Sequence, residues 1–384
     1  MTSSPASTPT DPEVEPVPAG ARLLHIGLPK TGSTALQNAA SRLKKRLREE
    51  GVIYPGKGEN HHKGTSWLAG LKVGYLPDPT PQELWWLNLK RELDRHESRR
   101  GLISFEMICT TNLDGAHRTV DALGDGGRIP VHVTLVLRNF GTFVPSYWQE
   151  SLKRGNTESL DTYLRRVLKD PAAVEASGAF HRRDGYGLLE RWSAAVGPEN
   201  ITVIVLDKAR PTSLFDTFES MLGLPDGMLR SEPPVGAGAN RGMSAAEAAL
   251  VHRLNEQIIG EWRAAPPEHR NLVHNGVVNR LLSSREPAES EGRLRIPGWA
   301  AQSCVEAGRV LADSVRSTGV RVVGDLAELE RPVPTADDES LAAPDVVPFD
   351  FAVEALLGMF ARATGWNADH TKPLAQPDTH QSRQ

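Results

Sequence analysis

The 384-residue chain is poor in cysteine, with only Cys109 and Cys304. Two thiols so far apart make no disulfide framework, no four-thiolate zinc site and no CxxC redox pair, and they point to a reducing, cytoplasmic setting. Long apolar runs are also missing: no uncharged stretch approaches the ~18 residues needed to cross a bilayer, so no transmembrane segment is predicted. Residues 1–20 lack the basic start and apolar middle of a secretory signal. A dominant charge sign is absent as well. The net charge is −4, and the acidic excess sits in residues 1–20, 332–348 and 349–384, which leaves residues 21–331 mildly positive. That balance suits an anionic ligand and falls well short of a nucleic-acid-binding surface. No internal repeat and no coiled-coil seam stands out, so the oligomeric state is unreadable.

With 39% hydrophobic and 24% charged residues, the chain has the composition of a folded protein rather than a disordered one. The opening MTSSPASTPTDPEVEPVPAG, rich in Pro, Ser, Thr and acid, predicts a disordered tail over residues 1–20. A folded domain is expected over 21–331, a Pro- and Asp-rich linker over 332–348, a helix over 349–366 and a second tail over 367–384. Within the domain, ARLLHIG, GVIYPG, RGLISFE, VHVTLVLRN and ITVIVLD read as strands, and their near-continuous apolar character predicts a sheet buried on both faces. Leu36, Ala40, Leu43 and Leu47 recur at spacings of 4, 3 and 4, which predicts one amphipathic helix with Arg42 to Arg48 as its solvated face. Further helices are expected at 142–153, 159–169, 185–196, 213–222, 244–259 and 299–318. The alternation predicts a three-layer α/β fold with a mainly parallel central sheet and an added helical subregion.

The strongest local pattern is Gly27-Leu28-Pro29-Lys30-Thr31-Gly32-Ser33-Thr34, between the first strand and the amphipathic helix. It is GxxxxG followed by Ser-Thr, and Ser33 stands where a Walker A loop has its lysine. Glycines permit close backbone approach, successive N–H groups converge, and the helix N-terminus adds favourable partial charge, so the loop is built for an anion such as phosphate. The bland reading of the same residues is a turn with a good N-cap.

This loop resembles the 5′-phosphosulfate-binding loop of the PAPS-dependent sulfotransferases, written PKxGTxxL, with Pro29, Lys30, Gly32 and Leu36 matching and Ser33 replacing threonine. The resemblance implies a P-loop-like fold, PAPS as sulfate donor and PAP as product, with no metal. It implies that Lys30 steadies the leaving phosphate and that Thr31, Gly32, Ser33 and Thr34 hold the 5′-phosphate. The family's second signature is an arginine at a strand end and a serine eight residues on, which clamp the 3′-phosphate; Arg138 and Ser146 match that spacing. Phe140 and Phe143 depart from the family's usual Pro and second Arg, which puts a second cationic contact in doubt. Gln149, Lys153, Gly155 and the segment Gly319 to Leu326 continue the likeness to bacterial members. Asn240-Arg241-Gly242-Met243-Ser244 is a candidate nucleotide lip, equally explained by Ser244 as an N-cap with Glu247 completing a capping box.

Sulfuryl transfer needs a nucleophile in line, a base for its proton and positive charge on the departing phosphate. Glu106, ending RGLISFE, is the first candidate base, with a structural carboxylate as the alternative. His61 and His62 are the second candidates, either as base or as lining of the acceptor pocket, with a solvated loop as the alternative. Trp85, Trp86, Tyr147 and Trp148 are read as core rather than as a sugar-stacking platform. The acceptor is expected to be a small molecule, lipid or carbohydrate bearing a hydroxyl or amine. A P-loop kinase or NTPase, which needs a lysine after Gly32 and an acid holding Mg²⁺, and a non-catalytic nucleotide-binding module are the competing readings.

Overall fold

The computed structural model describes residues 14–72, 82–170, 180, 182–207, 209–210, 213–231, 241–336 and 348–366. Its contacts divide the chain into two units, one built from residues up to 140, 170–233 and 303–332, the other from 141–169, 234–302 and 333 onward. The helical subregion expected beside the α/β part falls mainly in the second of these units.

The first unit is α/β. Strands β1 (Arg22–His25), β2 (Val52–Ile53), β3 (Arg100–Ser104), β4 (Val131–Leu137), β5 (Ile201–Val205) and β6 (Arg321–Val323) form one sheet in the order β2-β3-β1-β4-β5-β6, and every pairing is parallel. All five expected strands are present. Every residue of β1, β4 and β5 is buried, as the apolar runs require of a sheet covered on both faces. β1 pairs with β3 on one side and β4 on the other, so the direction of strand succession reverses at β1. In open parallel sheets, ligands bind outside the carboxyl ends of the strands at such a reversal.

The amphipathic helix expected after β1 breaks at Leu43 into α1 (Ser33–Arg42) and α2 (Lys44–Glu49). Leu36, Ala40, Leu43 and Leu47 nonetheless all enter the core with Leu23, Leu102, Val136, Ile204 and Phe218. The basic run is not a purely solvated face: Lys44 Nζ donates to the carbonyls of Gly56 (2.6 Å) and Gly58 (3.1 Å) and ties down the loop after β2. The ordered body also begins earlier than Ala21. Val17 is buried, Val14 packs beside it, and the Val17 N–H donates to Met221 O at 2.9 Å, so two valines suffice to dock a segment expected as tail. Residues 1–13 of that tail, 337–347 of the linker and the tail 367–384 lie outside the described residues.

The second unit is mainly helical. It contains Leu160–Val167, Ala245–Asn255, Asn279–Ser284 and Phe349–Thr364, and a two-stranded parallel pair, Ile296–Pro297 with Thr335–Ala336. Its core is Ala246, Val277, Leu281, Phe351 and Ala355. The helix expected over 244–259 turns to π geometry from Glu256 to Glu261. Arg241 pairs with Glu247 at 2.6 Å, and Ser244 and Glu247 close a capping box, so these residues cap the helix; Asn240 of the candidate lip lies outside the described residues. Among the described residues, no helix is long and apolar enough to cross a membrane.

Candidate functional site

Three segments singled out by sequence emerge from the carboxyl ends of three neighbouring strands: the Gly27–Thr34 loop from β1, Glu106 from β3 and Arg138 from β4. The loop stays zipped to β4 beyond the end of β1, with Ile26 N–H donating to Thr134 O and Leu28 N–H to Val136 O, both at 3.0 Å. Gly27 has φ 96°, and a Cβ there would stand 2.7 Å from the Cβ of Glu106, so only glycine lets the loop and the Glu106 turn pass. Gly27→Ala is expected to cost about 2 kcal/mol or more of stability through the left-handed backbone and the clash, read as a lowered urea midpoint at unchanged slope.

Lys30 (φ 64°) and Gly32 (φ 91°) then turn the chain into α1. Gly32 is the N-cap and supplies no side-chain bond; Ala35 and Leu36 N–H both donate to its carbonyl (3.0 and 3.2 Å), so the N–H groups of Ser33 and Thr34, with the helix dipole behind them, are the ones that could hold an anion. Thr31 Oγ1 and Ser33 Oγ are buried and both donate to Leu28 O, at 2.5 and 3.2 Å. A hydroxyl has one proton, so as oriented here these two side chains brace the loop, while backbone N–H groups and exposed Thr34 could serve an anion.

Arg138 Nη1 donates to Lys30 O at 2.9 Å, which brings the Gly27–Thr34 loop and the end of β4 into contact. Burial pulls the guanidinium below the ordinary arginine range, so it gains more from an anionic partner than a solvated cation would. Asn139, which sequence reading passed over, donates Nδ2 to Glu328 O (2.8 Å) and Arg331 O (2.7 Å), and so fixes the end of β4 against the turn after β6. Phe140 and Phe143 are buried, their rings against Phe180 and Tyr147, so neither position offers a second cation. Ser146 lies half-buried on the helix Phe140–Leu152, in the second unit.

Glu106 opens a short 3-10 turn, Glu106–Thr110, just beyond β3. Buried Gln37, from α1, donates Nε2 to Glu106 Oε2 (2.9 Å) and to Ser104 Oγ (3.1 Å), and Ser104 Oγ lies 2.8 Å from His25 Nδ1. Ser104 Oγ thus links Gln37 to His25, whose buried Nε2 has no hydrogen-bond partner among the described residues. His25 is wholly buried against Phe218, and burial lowers its pKa to about 3. The one signal for Gln37 in sequence was a polar residue beside Leu36 on the helix's apolar face.

His61 is not available as a base. It is buried, accepts the Ser104 N–H at Nδ1 (3.0 Å) and donates Nε2–H to Pro55 O (3.0 Å), and burial lowers its pKa to about 4. It holds β3 to the loop after β2. His62, half-buried, donates Nδ1–H to Asn60 Oδ1 at 2.7 Å, which leaves Nε2 as its basic nitrogen; burial, then Lys63, lowers its pKa. Trp86 and Trp148 are core, Trp85 is half-buried under Lys63, and Tyr147 is half-buried.

His25 and His61 are neutral in the fold and take up protons only when unfolded below about pH 6.5. Their folded pKa values are depressed, so their neutral burial is tolerated above pH 6.5 and penalised as pH falls toward about 4 and about 3. Each is expected to remove up to about 1.4 kcal/mol of stability per pH unit over that window. Urea midpoints at pH 7, 6 and 5 test this, with a shallower decline expected in His61→Gln.

No family model and no curated protein matches the chain.

Proposed function

We propose that the chain is a sulfotransferase of P-loop-like, three-layer architecture. It moves a sulfuryl group from PAPS to a hydroxyl or amine of a small-molecule, lipid or carbohydrate acceptor and releases PAP. The observation that carries this reading is the bond from Arg138 to the Lys30 carbonyl, because it joins two motifs 108 residues apart into one patch at the strand reversal. The uncapped N-terminus of α1 supplies backbone donors for the 5′-phosphate, and Arg138 supplies a fork for the 3′-phosphate.

In the reaction the acceptor oxygen or nitrogen bonds to sulfur while the bond from sulfur to the bridging phosphate oxygen breaks. Lys30 neutralises charge growing on that oxygen, and Glu106 takes the acceptor proton. Gln37 occupies Oε2 of Glu106, so Oε1 is the atom that receives the proton. Ser33 argues against a kinase or NTPase, since the Walker lysine position holds a buried hydroxyl turned to Leu28.

Calorimetric competition tests the reading. PAP is expected to bind at micromolar concentration without metal and at least tenfold tighter than ATP with Mg²⁺. The reverse preference overturns it in favour of an NTPase, and tight PAP binding without turnover on any acceptor favours a non-catalytic module.

A further inference from the structure

Gln37 is polar where the pattern of its helix asks for an apolar residue. It stands in α1 with Leu36, Ala39 and Ala40 on the buried side, and only 3% of it is exposed. Burying a side-chain amide is unfavourable unless its protons find acceptors, and here both do: Nε2 donates to Ser104 Oγ at 3.1 Å and to Glu106 Oε2 at 2.9 Å. An ionised carboxylate only accepts, so the amide turns its nitrogen toward Glu106, and both Nε2 protons are then committed. Its second acceptor is itself anchored. Ser104 Oγ lies 2.8 Å from His25 Nδ1, and the two residues are partners in the pairing of β1 with β3. Glu106 is thus held from a helix that is tied in turn to two buried strands.

The same helix reaches both ends of the proposed reaction. Ser33 and Gln37 are both buried and stand four residues apart, which places them on one face of α1. The N–H groups of Ser33 and Thr34, assigned to the 5′-phosphate, open the helix, and Gln37 follows Ser33 by about 6 Å along the axis. The backbone of Glu106 is set by the loop that leads into this helix, since a Cβ at position 27 would collide with that of Glu106. One rigid turn of helix therefore spaces the phosphate donors from the carboxylate, and groups built on helices and strands are held more closely than groups on loops.

We propose that Gln37 is a positioning residue, which by holding Oε2 fixes Glu106 at a set distance from the donor nucleotide and leaves Oε1 to the acceptor. The inference rests on the reading of Glu106 as the base. Gln37→Leu, which removes both donors and suits an apolar helix face, tests it. Turnover of labelled PAPS is expected to fall about 10–100-fold in kcat, with acceptor KM and PAP affinity within about twofold of wild type. Because the effect passes through the carboxylate, adding Gln37→Leu to Glu106→Gln is expected to cost no more than about twofold further. Gln37→Met, unbranched and likewise without a donor, carries the same expectations if the leucine variant does not fold. A glutamine that merely supports the fold would slow both backgrounds equally, or weaken PAP binding in step with the rate. Either result overturns the inference, and so does a Gln37→Leu enzyme as fast as wild type. A Glu106→Gln enzyme at full rate marks a different failure, that of the reading beneath it: the base then lies elsewhere, and Gln37 has nothing to position.

Discussion

Glu106→Gln is expected to lower sulfuryl transfer by about 10²–10⁴-fold, the usual worth of a positioned general base, while PAP affinity stays within about twofold. The substitution keeps the volume of the side chain and an oxygen for Gln37 to donate to, so the link from Gln37 through Ser104 to His25 survives. What it removes is the proton acceptor. Initial rates with labelled PAPS, on whichever acceptor a screen identifies, measure the effect. A variant that turns over as fast as wild type would reduce Glu106 to a structural carboxylate and leave His62, whose Nε2 stays basic, as the base.

The second large effect is expected at Lys30. Lys30→Ala removes the cation assigned to the departing phosphate, and transfer should fall by about 10²–10³-fold, as when one preorganised charge stabiliser is lost. The carbonyl of residue 30 remains in place to accept from Arg138, so the patch is not dismantled. PAP affinity should fall much less than the rate, because the charge matters most while the bridging oxygen is gaining it. Equal losses in affinity and rate would make Lys30 a binding residue only.

Much of this arrangement could be read from the chain alone because it rests on periodicity and glycine. The runs RLLH, VHVTLVL and ITVIV are so uniformly apolar that only a doubly covered sheet suits them, and a glycine loop between the first run and a helix marks the phosphate end of such a sheet. What could not be read from the chain alone depends on where a single side chain turns. Thr31 and Ser33 turn their hydroxyls to Leu28 O, a rotamer choice that no pattern encodes. His61 looked catalytic by type, yet main-chain groups from β3 and Pro55 claim both its nitrogens. Gln37 was overlooked because its value comes from Ser104 and Glu106, more than sixty residues away in sequence. Helices His62–Leu68, Gln82–Asp94 and Leu113–Gly124 went unassigned, the first two because mixed aromatic and polar residues blur the 3.6 period.

Titration of PAP into the wild-type protein and into Arg138→Ala, by calorimetry without added metal, bears most directly on the central claim. Micromolar binding to wild type, weakened at least tenfold by the substitution, is the predicted result, since a charge-assisted fork to phosphate contributes about 1.5–3 kcal/mol. No binding of PAP by folded wild-type protein, or binding indifferent to Arg138, would contradict the assignment of this patch to a 3′-phosphorylated adenine nucleotide.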